Sequence, residues 1–281
     1  MKLIFICTKS ITFNTFLKSQ ADFFIKKGIK IEVACSDIEN LNLNNNLKYK
    51  INFPNKILDL FNLINLVNIF IQIKYLVKKN PRSIYYLHTP LASHLFRMMT
   101  FFYKLKIMYF VHGFRFTTKT NFIKKFFFKN IEKILSIKTN IFITINNEDY
   151  NFCKKNFFKK SAIFKINGVG LNFSAKDLKK KFFKRKGIKK ILVIAAYKKE
   201  KGYLEILKLS KILKNTKIKI YCYGYGNKKN FNSAKINKKL SNISFNSFDL
   251  NLNNKIKKFD ILLHLSKREG LPVAIMQSLF N

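Results

Sequence analysis

The sequence predicts an α/β protein of two doubly wound parallel-sheet domains. Three observations carry that prediction. A strand, a helix, a glycine and a second strand follow one another between Lys2 and Cys35, the order of a βαβ unit, which demands a parallel sheet. Short apolar runs then end repeatedly in polar positions, at Thr8, His88, His112 and Asn146, before helical spacing resumes. Finally, Ser174–Lys190 holds nine Lys or Arg residues against one acid, and the strand pattern restarts at Ile191, so this segment reads as a surface linker. The expected domains are residues 1–160 and 161–281.

Each element has its own reason. Lys2–Cys7 is apolar enough for a buried strand. Phe13–Lys27 places Phe16, Leu17, Phe23 and Phe24 at helical spacing, and Gly28 closes it; Ile29–Cys35 is the second strand. The apolar stretch Ile57–Val77 is broken by Asp59, Asn62, Asn65, Asn68, Gln72 and Lys74. Asp59, Asn62 and Asn65 fall at steps of three, which predicts a helix with one polar side rather than a membrane span. Strands at Ser83–Leu87, Lys106–Val111 and Asn140–Ile145 alternate with helices from Pro90 to Lys104 and from Phe122 to Ser136. A further strand begins near Ile163. After the linker, Ile191–Ala196, residues 217–223, residues 242–245 and Ile261–Leu265 are strands, and a helix opens after Gly202.

Composition narrows the function. Forty-eight per cent apolar residues is ample for a packed core. The net charge of +41 by itself points to nucleic acid or an anionic membrane. Only five of the cations are Arg, however, and Lys, Asn, Ile and Phe are the residues of A/T-rich codons, so base composition accounts for the excess without a partner. No nucleic-acid recognition motif occurs, and no nucleic-acid partner is expected. Cys7, Cys35, Cys153 and Cys222 are scattered without metal-ligand spacing, which predicts reduced thiols, a cytoplasmic setting and no metal. The first ten residues have too short an apolar run for a signal peptide.

Chemistry concentrates in the loops. Ligands of open parallel sheets bind where strands end, so His88 and His112 are aimed at a ligand edge. His88 reads equally as a local cap, whereas His112 precedes Gly113, which lets the chain turn. The plainest site lies in Asp260–Asn281: a strand, the loop Ser266–Gly270, Pro272 at a first helical turn, and a helix from Val273 to Phe280. A strand, a Gly-containing loop and a helix N-terminus together make an anion site. Glu269 would be repelled by phosphate there unless it accepts hydrogen bonds from hydroxyls, so the implied ligand carries both phosphate and sugar. Gly224-Tyr225-Gly226 is too short to be a dinucleotide fingerprint.

In order and spacing these residues resemble the family-4 glycosyltransferases of the GT-B fold, the retaining enzymes of capsule, exopolysaccharide and O-antigen assembly. The resemblance runs through His88-Thr89-Pro90 with Arg97 downstream, His112-Gly113-Phe114, Ile143–Tyr150, Asn167–Gly170, Lys201-Gly202 and Ser266–Pro272. It implies two Rossmann-like domains facing across a cleft, the first for the acceptor and the second for a nucleotide-sugar. Glu269 then meets donor-sugar hydroxyls, and the backbone around Gly270, Leu271 and Pro272 meets sugar and diphosphate. Gln277 stands where the family holds the ribose with Glu, so a charge-assisted bond is lost. Lys201 matches the cation that neutralises the leaving diphosphate; its family partner five residues earlier is Ala196 here, and Lys198 or Lys199 would supply the missing charge. Both lysines equally fit a solvated surface.

His112 matches the histidine held near the donor sugar, and Ser10, Thr12 and His88 fall on the acceptor side, toward a lipid-linked or saccharide acceptor. No carboxylate pair of the retaining-glycosidase kind is apparent. The resemblance implies a front-face substitution with no cofactor besides the donor, and no metal is expected because lysines and helix termini stabilise the diphosphate charge. Phe126-Phe127-Phe128, set among lysines, fits either a helical core or peripheral contact with an anionic membrane at its inner face. Family members continue past this chain's last residue, so the resemblance implies an incomplete second domain, and a partial or inactive fragment is one alternative. A GT-B nucleotide-sugar epimerase and a basic nucleic-acid binder are the others.

Overall fold

The computed structural model describes residues 1–43, 48–54, 59–60, 62–116, 120–157, 160–168, 187–227, 231, 240–249, 252–266 and 273–279. The chain divides into two compact units, Met1–Gly170 and Leu171–Asn281.

In the first unit seven strands form one sheet: β1 (Lys2–Ile6), β2 (Lys30–Cys35), β3 (Lys48–Lys50), β4 (Ile84–Leu87), β5 (Lys106–Val111), β6 (Ile141–Thr144) and β7 (Ala162–Lys165). Their order is β3-β2-β1-β4-β5-β6-β7, and every pair is parallel. β7 pairs with β6, so the strand expected within the second domain closes the first sheet instead. A parallel sheet must be covered on both faces. Alternate residues of β1 serve the two faces: Leu3 and Phe5 join one apolar cluster, Ile4 and Ile6 the other. Helix α1 runs from Ser10 to Lys26 with a π-helical turn at Phe13–Leu17, and covers the first face through Phe13, Leu17 and Ala21. The other face is covered by α2 (Leu63–Lys79), α3 (Pro90–Met99), Phe128 of α4 (Phe122–Ser136) and Cys153 of α5 (Asn147–Asn156).

Helix α2 starts later than the apolar stretch that predicts it. It begins at Leu63, and Asn62 is its N-cap, the side chain accepting the Asn65 N–H at 3.1 Å. Asn62 therefore starts the helix, while Asn65 and Asn68 lie on its exposed surface. Its solvent surface is mixed: apolar Leu63, Ile64, Val67, Phe70, Ile71 and Tyr75 are exposed beside Asn65, Asn68, Lys74, Lys78 and Lys79.

A buried ion network joins α3 to α4. Arg97 donates from Nη2 to Glu132 Oε2 at 2.9 Å, and the other carboxylate oxygen lies 2.8 Å from His94 Nε2. The Arg97 guanidinium also sits 4.5 Å from the centre of the Tyr109 ring. Burial pushes the Glu132 pKa up, but Arg97 and then His94 outweigh it and hold the carboxyl below its ordinary range.

The second unit holds four parallel strands, β8 (Lys190–Ile194), β9 (Lys219–Gly224), β10 (Ile243–Ser247) and β11 (Ile261–Leu262), in the order β10-β9-β8-β11. Helices α6 (Tyr203–Ile212), α7 (Leu252–Lys255) and α8 (Val273–Leu279) accompany them. β11 is shorter than the expected Ile261–Leu265, although the Leu263 N–H still donates to Leu192 O at 2.8 Å. Among the described residues no helix is long and apolar enough to cross a membrane. The four cysteines are free and buried.

Candidate active site

Where strand order reverses in an open parallel sheet, the two neighbouring strands send their loops to opposite faces and leave a crevice at the carboxyl edge. In the first unit those strands are β1 and β4. Thr8 follows β1, and the Thr8 N–H donates to Thr89 Oγ1 at 3.1 Å, with the two hydroxyls 2.8 Å apart. Thr89 has φ 62, the only non-glycine at positive φ among the described residues. That conformation costs a β-branched residue about 1–3 kcal/mol, and the bonds from Thr8 hold it. It turns the chain into α3, where Pro90 occupies the first turn.

His88, expected to face the open edge, is wholly buried. Its ring stacks on Phe5 at 5.4 Å and lies against Tyr86 and Phe110. Its Nδ1 is 3.1 Å from His112 Nε2. Burial first, and His112 second, push the His88 pKa well below the ordinary imidazole value; burial lowers His112 to about 4. Both rings are therefore neutral near pH 7. His112 follows β5 and keeps partial exposure. Gly113 after it has φ 126, backbone that side chains rarely adopt, so the turn depends on glycine. His112 is the accessible ring and His88 stands behind it.

Ser10 is also buried. Its N–H and hydroxyl donate to the Asp37 carboxylate at 2.7 and 2.9 Å, tying the start of α1 to the loop after β2. Of the three residues expected on the acceptor side, only Thr12 has accessible surface. The residues that build this edge and were not singled out by sequence are Asp37, Phe5, Tyr86 and Phe110. Their signal was position: Asp37 ends a strand, and the aromatic rings fill strand interiors.

In the second unit the order reverses between β8 and β11. The segment after β8 carries Lys198 in extended backbone and a 3₁₀ turn at Lys199–Lys201. Gly202, at φ 80, lies so close to Leu265 that a Cβ there would run into its backbone. The cationic turn is thus packed on the chain leaving β11, directly before Ser266. Lys199 is exposed and Lys201 partly so, while Ala196 is buried. Tyr203 Oη donates to Ala195 O at 2.8 Å and Tyr197 Oη to Cys222 O at 3.0 Å, which pins the segment to the sheet. Glu269, Gly270, Leu271 and Pro272, and the side chain of Gln277, lie outside the described residues. Among the described residues no cluster of three His, Cys, Asp or Glu side chains could hold a metal.

Two doubly wound parallel sheets in tandem, each with its order reversed once, are the architecture of the GT-B fold. Among solved structures, sucrose-phosphate synthase from Thermosynechococcus elongatus matches with TM-score 0.75 and 9% identity, over 99% of this chain and 79% of that one. HepE from Anabaena, in complex with UDP and glucose, matches with TM-score 0.68 and 11% identity, over 100% and 78%. WaaG, a glycosyltransferase involved in lipopolysaccharide biosynthesis, matches with TM-score 0.69 and 12% identity, over 99% and 78%. At such identities the likeness is one of fold. No protein-family model and no curated protein matches the sequence.

Proposed function

We propose that the chain is a retaining glycosyltransferase that moves a sugar from a nucleoside diphosphate sugar to a lipid-linked or saccharide acceptor in surface polysaccharide synthesis. The observation that carries this reading is the switch point of the second sheet, where the Lys199–Lys201 turn packs through Gly202 on Leu265. That contact puts cations beside the chain that continues to Glu269. Lys201, aided by Lys199, neutralises the diphosphate as it departs, Glu269 accepts from sugar hydroxyls, and Gln277 takes the ribose. The complexes of HepE with UDP and glucose support a nucleotide-sugar donor.

The chemistry balances within the substrates. The bond from the anomeric carbon to the diphosphate oxygen breaks, and its electron pair leaves with the diphosphate. The acceptor oxygen bonds to that carbon on the same face, and its proton passes to the departing diphosphate. His112, neutral, is assigned to a hydroxyl of the transferred sugar as a hydrogen-bond donor and not as a base. Lysines and backbone N–H groups supply the charge stabilisation, so no metal enters this scheme.

Calorimetric titration with nucleoside diphosphates tests the donor site. At least one binds, and Lys201→Ala weakens it about tenfold or more, the worth of a charged hydrogen bond. Unchanged affinity in the variant sinks the assignment of Lys201.

The lipid side of the proposal draws on the outer surface of one helical layer, in which α3 packs between α2 and α4. α4 exposes Phe126 by 63% and Phe127 by 59%, while Phe128 packs inward, so the core reading suits Phe128 alone. α2 exposes Leu63 by 75% and Ile64 by 74%. Lys74, Lys78, Lys124 and Lys133 are exposed on the same two helices. Apolar side chains among lysines suit an anionic lipid surface at the cytoplasmic face. In flotation assays the chain is expected to rise with vesicles containing anionic lipid and not with neutral ones, and Phe126→Ser with Phe127→Ser to reduce the bound fraction. Failure of the unaltered protein to float removes the membrane contact.

A further inference from the structure

We infer that His88 is a positioning residue: from behind, it donates its Nδ1–H to His112 Nε2, and so fixes His112 as the tautomer that offers its own Nδ1–H outward. This rests on the assignment of His112 to the transferred sugar.

The geometry leaves two arrangements. The two ring nitrogens are 3.1 Å apart, so one proton lies between them. If His112 held that proton, the proton belonging to His88 would sit on Nε2. That atom is buried and has no hydrogen-bond partner among the described residues. An orphaned buried N–H is rare and costs about 1–3 kcal/mol. With the proton on His88 Nδ1 instead, Nε2 is a bare ring nitrogen among aromatic rings and no donor is wasted. The second proton of the pair then lies on His112 Nδ1, on the ring that retains exposure.

The surroundings keep the arrangement in place. The Phe5 ring is within 4° of parallel to the His88 ring, Phe110 within 29°, and the Tyr86 ring centre lies 4.2 Å from it. Such packing opposes a flip that would exchange Nδ1 for Nε2. The His88 N–H donates to Ile6 O at 2.7 Å, fixing the backbone at the end of β4. A doubly protonated His112 would bring two N–H groups face to face, so His88 also holds its partner neutral.

Long-range ¹H–¹⁵N correlation spectra of histidine-labelled protein read the tautomer directly. The chain has four histidines, and His112→Ala assigns the signals. The expected spectrum shows His112 protonated on Nδ1 and not on Nε2. His88→Phe refills the stacked space with a ring that cannot donate; there His112 shifts toward the Nε2–H form. Its kcat falls about tenfold, with nucleoside diphosphate affinity unchanged. A wild-type His112 protonated on Nε2, or the same tautomer in His88→Phe, overturns the inference. The wild-type spectrum alone decides if the variant does not fold. Transfer unaffected by His112→Ala overturns the sugar assignment separately, whatever the tautomer.

Discussion

Alanine at position 112 lowers the turnover of sugar transfer by about a hundredfold while the chain stays folded, the size of effect that follows loss of one placed hydrogen-bond donor. The ring stands at the carboxyl end of β5 and is partly exposed, so its removal empties little of the core. What disappears is a neutral donor already turned toward the edge of the sheet. Because burial lowers its pKa to about 4, kcat of the unaltered protein shows no imidazole step between pH 5 and 8. A step near pH 6.5, the ordinary imidazole value, would mean that His112 is solvated and titrates freely. Turnover of both proteins across that range makes the comparison.

Glutamine at position 132 destabilises the first unit by about 3–5 kcal/mol, since removing one partner leaves a buried charge uncompensated. Arg97 is wholly buried, and the Glu132 carboxylate pairs with it at 2.9 Å. Denaturant unfolding of Glu132→Gln measures the loss. The pH dependence has the same root. The Glu132 carboxyl lies below its unfolded value, so its contribution is present above the unfolded pKa and is lost as pH falls through the folded one. His88 and His112 are lowered as well. Below about pH 6.5 the unfolded chain takes up protons that these folded rings refuse, so stability declines with acid from there toward pH 4. The two windows share a sign, and acid unfolding is expected to steepen as the second adds to the first. In Glu132→Gln only the histidine window remains.

Much of this was legible in the sequence, for reasons that also explain the rest. Lys106–Val111 and Phe122–Ser136 have the bounds that apolar run and helical spacing give them. β3 was not seen because Lys48-Tyr49-Lys50 is three residues with one apolar member. α5 was not read as a helix because its ten residues are mostly polar, although Asn146 caps it by accepting the Asp149 N–H. Asn62 matched a helical face by spacing, but it caps α2 by accepting the Asn65 N–H, and capping uses the same three-residue interval. His88 was placed at the correct edge and at the wrong depth, since a strand-end position specifies an edge but not which rings close over it. Glu132 had a signal: it is the one acid in a helix of lysines, and a lone acid there is spent on a buried cation. The switch points required strand order, which alternation of strands and helices does not supply. Once the order is known, Thr8 with Thr89 and the Lys199–Lys201 turn with Leu265 fall at the two reversals.

The most direct test is release of nucleoside diphosphate when the chain is offered a panel of nucleoside diphosphate sugars together with saccharide and lipid-linked acceptors. At least one donor is expected to be consumed, with one glycosidic bond formed per diphosphate released and the donor's anomeric configuration kept in the product. Consumption of none of the donors by a protein that binds nucleoside diphosphate and unfolds cooperatively would contradict sugar transfer, and an inverted product would contradict the front-face mechanism.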